Sequence, residues 1–216
     1  MKHLLKEVPE PIGFVKSITE TKPDDQVIER KTTYASLIDK KPLRQFLIQE
    51  QSGLCCYCQS TIELTNSLTE HYLPQSKHKQ ESLANCNLYA SCECNDLRRE
   101  QNETSKGEFC GHAKGQNELN WSPIKDTSAI ASASKPNPFF TVNSETGDVT
   151  GNSAQKGLAD GFIRICNLNH THLKRARATT FITLTELNIP LPELKARVAS
   201  NPSFPYNQFI LNALHP

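Results

Sequence analysis

The chain has 216 residues and sets 24 Lys and Arg against 23 Asp and Glu, for a formal net charge of +1. That length suffices to bury a core, while the near balance of charge excludes nucleic-acid binding through bulk electrostatics and leaves room only for a local basic patch. Thirteen prolines and a negative mean hydropathy point to a loop-rich, soluble protein.

The opening stretch MKHLLKEVPEP lacks the apolar run and small residues of an export signal. No apolar run approaches the roughly 20 residues that span a bilayer, so a cytoplasmic protein without a membrane partner is expected. Residues 1–30 place Pro9, Pro11 and Pro23 among polar residues and read as an extended arm. From 34 to 51, Leu37, Ile38, Leu43, Phe46, Leu47 and Ile48 recur at helical spacing. The pattern restarts near Pro42 and stops at Gly53. Residues 55–76 read as a tight knuckle followed by extended segments at 62–64 and 71–73. Residues 96–109 are polar enough for a solvated loop or surface helix, and 122–138 have linker composition, with Trp121 as an anchor at their start.

Farther on, 139–142, a turn at 143–147 and 148–149 resemble a hairpin. Apolar positions between 159 and 187 predict helices broken around 167–170 and ended by Pro190 and Pro192. The aromatic-rich segment 204–214 is expected to dock on the core. Three regions follow: an arm and helix at 1–49 suited to partner docking, a site-bearing unit at 50–120, and a hairpin with helices at 121–216.

The cysteines carry the first chemical signal. Seven of eight (Cys55, Cys56, Cys58, Cys86, Cys92, Cys94 and Cys110) fall in one stretch, and only Cys166 is remote. Clustering without an export signal favours metal over disulfides. Cys55 and Cys58 form a C-x-x-C knuckle, from which two thiolates reach one tetrahedral zinc. Redox sites use the same spacing, but a second set at Cys92, Cys94 and Cys110 supplies what a four-cysteine structural zinc site needs. Cys86 and Cys166 read as small buried residues.

Between the two sets lie Glu70-His71-Tyr72-Leu73-Pro74 and Asn87-Leu88. The order of knuckle, acidic residue with His, Asn-Leu and closing cysteine resembles the HNH endonucleases. Their ββα-metal fold implies an α+β chain with a zinc-stapled core, flanked here by an N-terminal helical arm and a mainly helical C-terminal region. The runs 50–58, 70–76, 87–92 and 110–115 are similar to one subgroup, PtuB of Septu and retron-associated anti-phage systems. More loosely, so are Trp121-Ser122-Pro123, the Gly147 turn, and Leu168-Asn169 with Leu173 and Arg177. This resemblance implies a DNA-cutting defence effector in complex with an ABC-type ATPase (PtuA-like).

Hydrolysis of a phosphodiester needs a water deprotonated near neutral pH, a task suited to His71. It also needs a cation over the developing charge, and Mg²⁺ or Mn²⁺ requires few protein ligands. The expected roles are His71 as base, Glu70 as ligand of the catalytic metal, and Asn87 as the residue holding the His-bearing loop. Zinc on Cys55, Cys58, Cys92 and Cys110 would hold the fold. The closure is open between two arrangements. One pairs Cys92 with Cys110 and brings His112 to the catalytic metal, one place beyond the family's closing residue. The other uses Cys94 with Asn95 and Arg98.

Lys77 and Lys79, beside His78, and Lys114 are candidate nucleic-acid contacts. Arg98, Arg99 and the cluster Lys174, Arg175 and Arg177 near His170 and His172 are either phosphate contacts or solvated faces. Phe139, Phe140, Phe204, Tyr206 and Phe209 read as core or docking anchors. Two rival functions remain at this point: a zinc-knuckle module that binds nucleic acid or an ATPase without cutting, and a stand-alone restriction-type HNH nuclease.

Overall fold

A computed structural model describes residues 34, 39–94, 108–121, 139–152 and 155–214. The arm at 1–30, Leu37 and Ile38, the alternative closing residue Asn95, Arg98, Arg99 and the linker at 122–138 lie outside the described residues. The fold is α+β: six α-helices and two small antiparallel sheets among those residues.

Helix α1 (Lys41–Glu50) starts where expected, with Pro42 in its first turn, where the missing N–H has no helical partner to lose. The Asp39 carboxylate accepts the Lys41 N–H at 2.9 Å. Leu43, Leu47 and Ile48 form its buried face. The helix ends in a turn through Ser52 and Gly53, both in the left-handed region, and the Gly53 N–H returns to the Ile48 carbonyl at 2.8 Å.

The first sheet pairs β1 (Ser67–His71) with β2 (Leu88–Cys92), in a register setting Glu70 opposite Tyr89 and His71 opposite Leu88. The segment expected as extended at 62–64 forms no strand; a Leu54–Thr61 bridge and the Ile62 N–H on the Gly53 carbonyl at 2.8 Å tie it to the knuckle. Strand β2 gave no alternating signal because all five of its residues are buried, and period-2 patterning requires one wet face. Two 3₁₀ turns, Lys79–Glu81 and Asn85–Asn87, lead into β2. The short helix α2 (Cys110–Lys114) then packs on it.

Strands β3 (Phe140–Val142) and β4 (Val149–Gly151) form the expected hairpin. Its Gly147 has φ +70°, and a Cβ there would lie 2.1 Å from the Lys174 carbonyl, so only glycine fits the turn. Helices α3 (Lys156–Ile165) and α4 (Thr171–Glu186) flank the expected break. Pro190 and Pro192 start a helix, α5 (Leu191–Ser200), which the sequence reading took for an end. Helix α6 (Asn207–Leu214) is almost wholly buried, as the docking segment should be.

One core joins these elements: buried residues from Leu43 to Leu119 and from Phe139 to Leu214 form a single cluster. The boundary expected at 120–121 therefore does not separate two cores. Helix α6 reaches the knuckle directly, with the Tyr206 N–H on the Gln59 carbonyl at 2.8 Å and the Gln208 N–H on Gln59 Oε1 at 3.0 Å.

Arg177, offered above as a surface contact, is 1% exposed. Its guanidinium donates to the Gly147 and Leu168 carbonyls, both at 2.8 Å, and lies over the Phe209 ring. Lys174 pairs with Asp148 at 2.9 Å. The basic cluster is thus largely structural, and only Arg175 is exposed. Arg177→Met keeps the volume but strips two buried carbonyls of a charged donor, and should destabilise the fold by about 2–4 kcal/mol. Denaturant unfolding of the two proteins measures the difference.

Among the described residues, no helix is long and apolar enough to cross a membrane.

Candidate metal centre and active site

Cys55, Cys58, Cys92 and Cys110 are brought together by three elements: the knuckle after α1, the end of β2 and the first residue of α2. All four are buried, with their sulfurs within 4.8 Å of one another. A tetrahedral ion about 2.3 Å from each thiolate sets the sulfurs about 3.8 Å apart, and Cys58 and Cys92 Sγ are separated by 3.8 Å. Backbone groups prepare the site: Gln59 N–H donates to the Cys55 carbonyl at 3.0 Å, closing the knuckle, and Cys92 N–H donates to Cys55 Sγ at 3.3 Å. These four can hold a metal ion such as zinc.

Their acid–base balance points the same way. Burial alone would raise the Cys55 thiol, but hydrogen bonds from Cys110, Cys56, Cys58 and Cys92 hold it well below the usual thiol range. The opposite shifts appear on its neighbours. Cys110 is pushed well up by burial and by Cys55 and Cys58, and Cys92 by its hydrogen bonds to Cys110 and Cys55. Four thiols packed this closely support few negative charges unless a cation offsets them.

Cys94 is placed differently. Its Sγ is 3.9 Å from Cys92 Sγ, but it is half-buried, points at the Phe109 carbonyl at 3.4 Å, and lies outside the mutual set. Cys166 is buried as expected, whereas Cys86 is exposed, on the 3₁₀ turn before β2.

His71 ends β1, half-buried. Its Nε2 is 3.0 Å from the Ser82 carbonyl, which only accepts, so the proton sits on Nε2 and Nδ1 carries the free lone pair. Tyr34 meets the imidazole edge-on at 4.7 Å. Burial lowers the His71 pKa below its ordinary value; the Ser82 carbonyl opposes this shift, and Lys114 and Lys40 add to it.

Glu70 stands next to it. One carboxylate oxygen, Oε1, accepts both the Tyr57 hydroxyl and the Lys114 ammonium, each at 2.9 Å. The other, Oε2, faces Gly111 so closely that a Cβ there would lie 2.6 Å from it. Burial raises the Glu70 carboxyl, against the pull of Lys114 and then Tyr57. Burial, followed by the Glu70 charge, pushes the Tyr57 phenol well up and keeps it a donor.

Asn87 crosses the loop between the strands. Its Oδ1 accepts the Leu73 N–H at 2.6 Å, its Nδ2 donates to the Glu81 carbonyl at 2.9 Å, and its own carbonyl accepts the Tyr72 N–H at 2.9 Å. An amide that donates and accepts at once is the side chain this position needs.

Neither protein-family models nor curated proteins give a match to this chain. Its reading therefore rests on residues and geometry.

Lys114 departs from expectation. It is 1% exposed, and its ammonium bridges Glu70 Oε1 and the His71 carbonyl, both at 2.9 Å, so it cannot reach a phosphate. The inward face of α2 carries it toward β1, where a buried carboxylate demands a counter-charge. Lys77 and Lys79 are exposed, Lys77 with Glu118 at 3.5 Å. His112 lies on α2 with its Nε2 buried and without a hydrogen-bond partner.

Three contributors escaped the sequence reading. Tyr57 and Ser82 act on Glu70 and His71, and Gln51 pairs its amide with the Ala90 N–H and carbonyl at 2.7 and 2.8 Å, fastening α1 to β2. Tyr57 had a signal, an aromatic residue locked between two knuckle cysteines. The Ser82 carbonyl had none, because any residue supplies one.

Proposed function

We propose that the chain is a metal-dependent HNH endonuclease that hydrolyses DNA phosphodiester bonds. The observation that carries this reading is His71. Its Nε2–H is anchored on a backbone carbonyl, its Nδ1 is left as a base, and it sits beside a carboxylate held between a knuckle residue and a helix that starts on a cysteine ligand. The order of β1, β2 and α2 around four metal-binding cysteines agrees with a ββα-metal unit.

His71 Nδ1 takes the proton of the attacking water. Asn87 fixes the loop that follows His71, and the Ser82 carbonyl fixes the ring, so the base is oriented before substrate arrives. We assign Glu70 and His112 to hold a divalent cation, one carboxylate oxygen and one imidazole nitrogen; Glu70 Oε2 lies toward Gly111, and His112 Nε2 is buried without a hydrogen-bond partner. When bound, Mg²⁺ or Mn²⁺ supplies positive charge for the oxygens of the reacting phosphate. Lys77 and Lys79, both exposed in the stretch after β1, are assigned to the DNA backbone. Zinc on the four cysteines holds the fold.

The sequence resemblance extends the reading to an anti-phage effector that works with an ABC-type ATPase in the cytoplasm. Incubating supercoiled plasmid with the purified chain, alone and with an ABC-type ATPase of the kind the resemblance implies, tests both parts. Nicked and linear products in Mg²⁺, abolished by EDTA, are expected. Binding without cutting under every metal condition would favour a non-catalytic zinc-knuckle module, and full activity without a partner would favour a stand-alone nuclease.

A further inference from the structure

We propose that Tyr57 is the positioning residue for the Glu70 carboxylate and thereby ties the divalent-cation site to the cysteine centre. This rests on the reading of Glu70 as a ligand of the catalytic metal.

Tyr57 lies inside the knuckle, immediately before Cys58, and is 1% exposed. Its hydroxyl spans from the knuckle to β1 and donates to Glu70 Oε1 at 2.9 Å. The second donor to that same oxygen, Lys114, sits one turn after Cys110 on α2. Both groups that hold Glu70 therefore belong to segments anchored by cysteine ligands. Two donors converging on Oε1 restrict rotation of the carboxylate and leave Oε2 turned toward Gly111, where the lack of a side chain gives it room. The phenol ring cannot easily move away, since it packs against Phe162 of α3, ring centroids 6.1 Å apart.

Without the hydroxyl, Lys114 alone would hold the carboxylate, and a single flexible donor fixes position but not rotation. Groups that orient a metal ligand commonly change metal affinity by about 10–100-fold when removed. Tyr57→Phe removes one oxygen and keeps the ring, so the cysteine centre should survive.

The test is Mn²⁺ binding to the zinc-loaded chain, followed by electron paramagnetic resonance of the free ion at fixed pH. Tyr57→Phe should weaken Mn²⁺ binding about tenfold or more with zinc content unchanged at one per chain. Mn²⁺ affinity equal to the unaltered chain would overturn the role of Tyr57. Absence of Mn²⁺ binding in the unaltered chain would instead remove the Glu70 site itself, and the proposal with it. A second measurement needs no destabilising change: with 3-fluorotyrosine at position 57, substoichiometric Mn²⁺ should broaden the ¹⁹F signal, and Glu70→Gln should abolish the effect. A signal that stays sharp in the unaltered background overturns the assignment.

Discussion

Cys110→Ser is expected to leave the chain without zinc and to unfold the unit around β1, β2 and α2. Cys110 has two structural duties: its sulfur completes the buried four-cysteine set, and its N–H donates to the Cys166 carbonyl at 2.8 Å, setting the start of α2. From that start hang Gly111, His112 and Lys114. Structural zinc sites in small domains contribute on the order of 10 kcal/mol of apparent binding energy, comparable to the whole stability of a domain of this size. Serine keeps the volume but not the thiolate. Elemental analysis should find about one zinc per chain in the unaltered protein and almost none in Cys110→Ser, with amide exchange accelerated across β1 and β2. Cys94→Ser should keep its metal, because Cys94 lies outside the mutual set. Zinc lost from the Cys94 variant and retained in the Cys110 variant would reverse the assignment.

Under the proposed function, the largest effect on chemistry is expected from His71. His71→Ala should lower plasmid cleavage by about 10²–10⁴-fold while leaving zinc content and folding intact. The pH profile sharpens the expectation. Burial, the leading influence, lowers the His71 pKa below its ordinary 6.5. A lowered pKa means that the imidazole is already neutral at pH 7 and gains its proton only as pH falls through a value below 6.5. Cleavage should therefore be flat across neutral pH and fall on the acid side. Glu70 contributes to the same limb from its own direction. Burial raises its carboxyl, so acidification also weakens its ability to hold a cation. A bound divalent ion repels a proton from His71 and shifts the limb further into acid. A rate that kept its neutral plateau after His71→Ala would remove His71 from the role of base.

The legible parts of the site were those whose residue types are scarce and whose spacing is short. Cysteine pairs narrow the chemistry before any packing is known: the four sulfurs that come together could be named, with Cys94 left as the alternative to Cys110, and the Glu-His and Asn-Leu steps marked Glu70, His71 and Asn87 as candidates. Lys114 was misplaced because a lysine late in a short helix reads as surface until the carboxylate beneath it is known. In the fold, α1, the β3–β4 hairpin and the break between α3 and α4 were signalled by proline, glycine and periodicity. Strand β2 was not, since burial on both faces erases alternation. Helix α5 was hidden by Pro190 and Pro192, which cap a helix start as readily as they end one.

The contact between α6 and the knuckle has a consequence for how the protein comes into being. The Gln208 N–H meets Gln59 across a separation of 149 residues, so during synthesis the knuckle leaves the ribosome long before the helix that seals it. Until residues 206–208 emerge, the cysteine turn lacks the contacts that Tyr206 and Gln208 make to Gln59. Pairings so distant in sequence form slowly. A chain with this architecture completes the packing around its cysteine turn only once nearly all of its described length has been made.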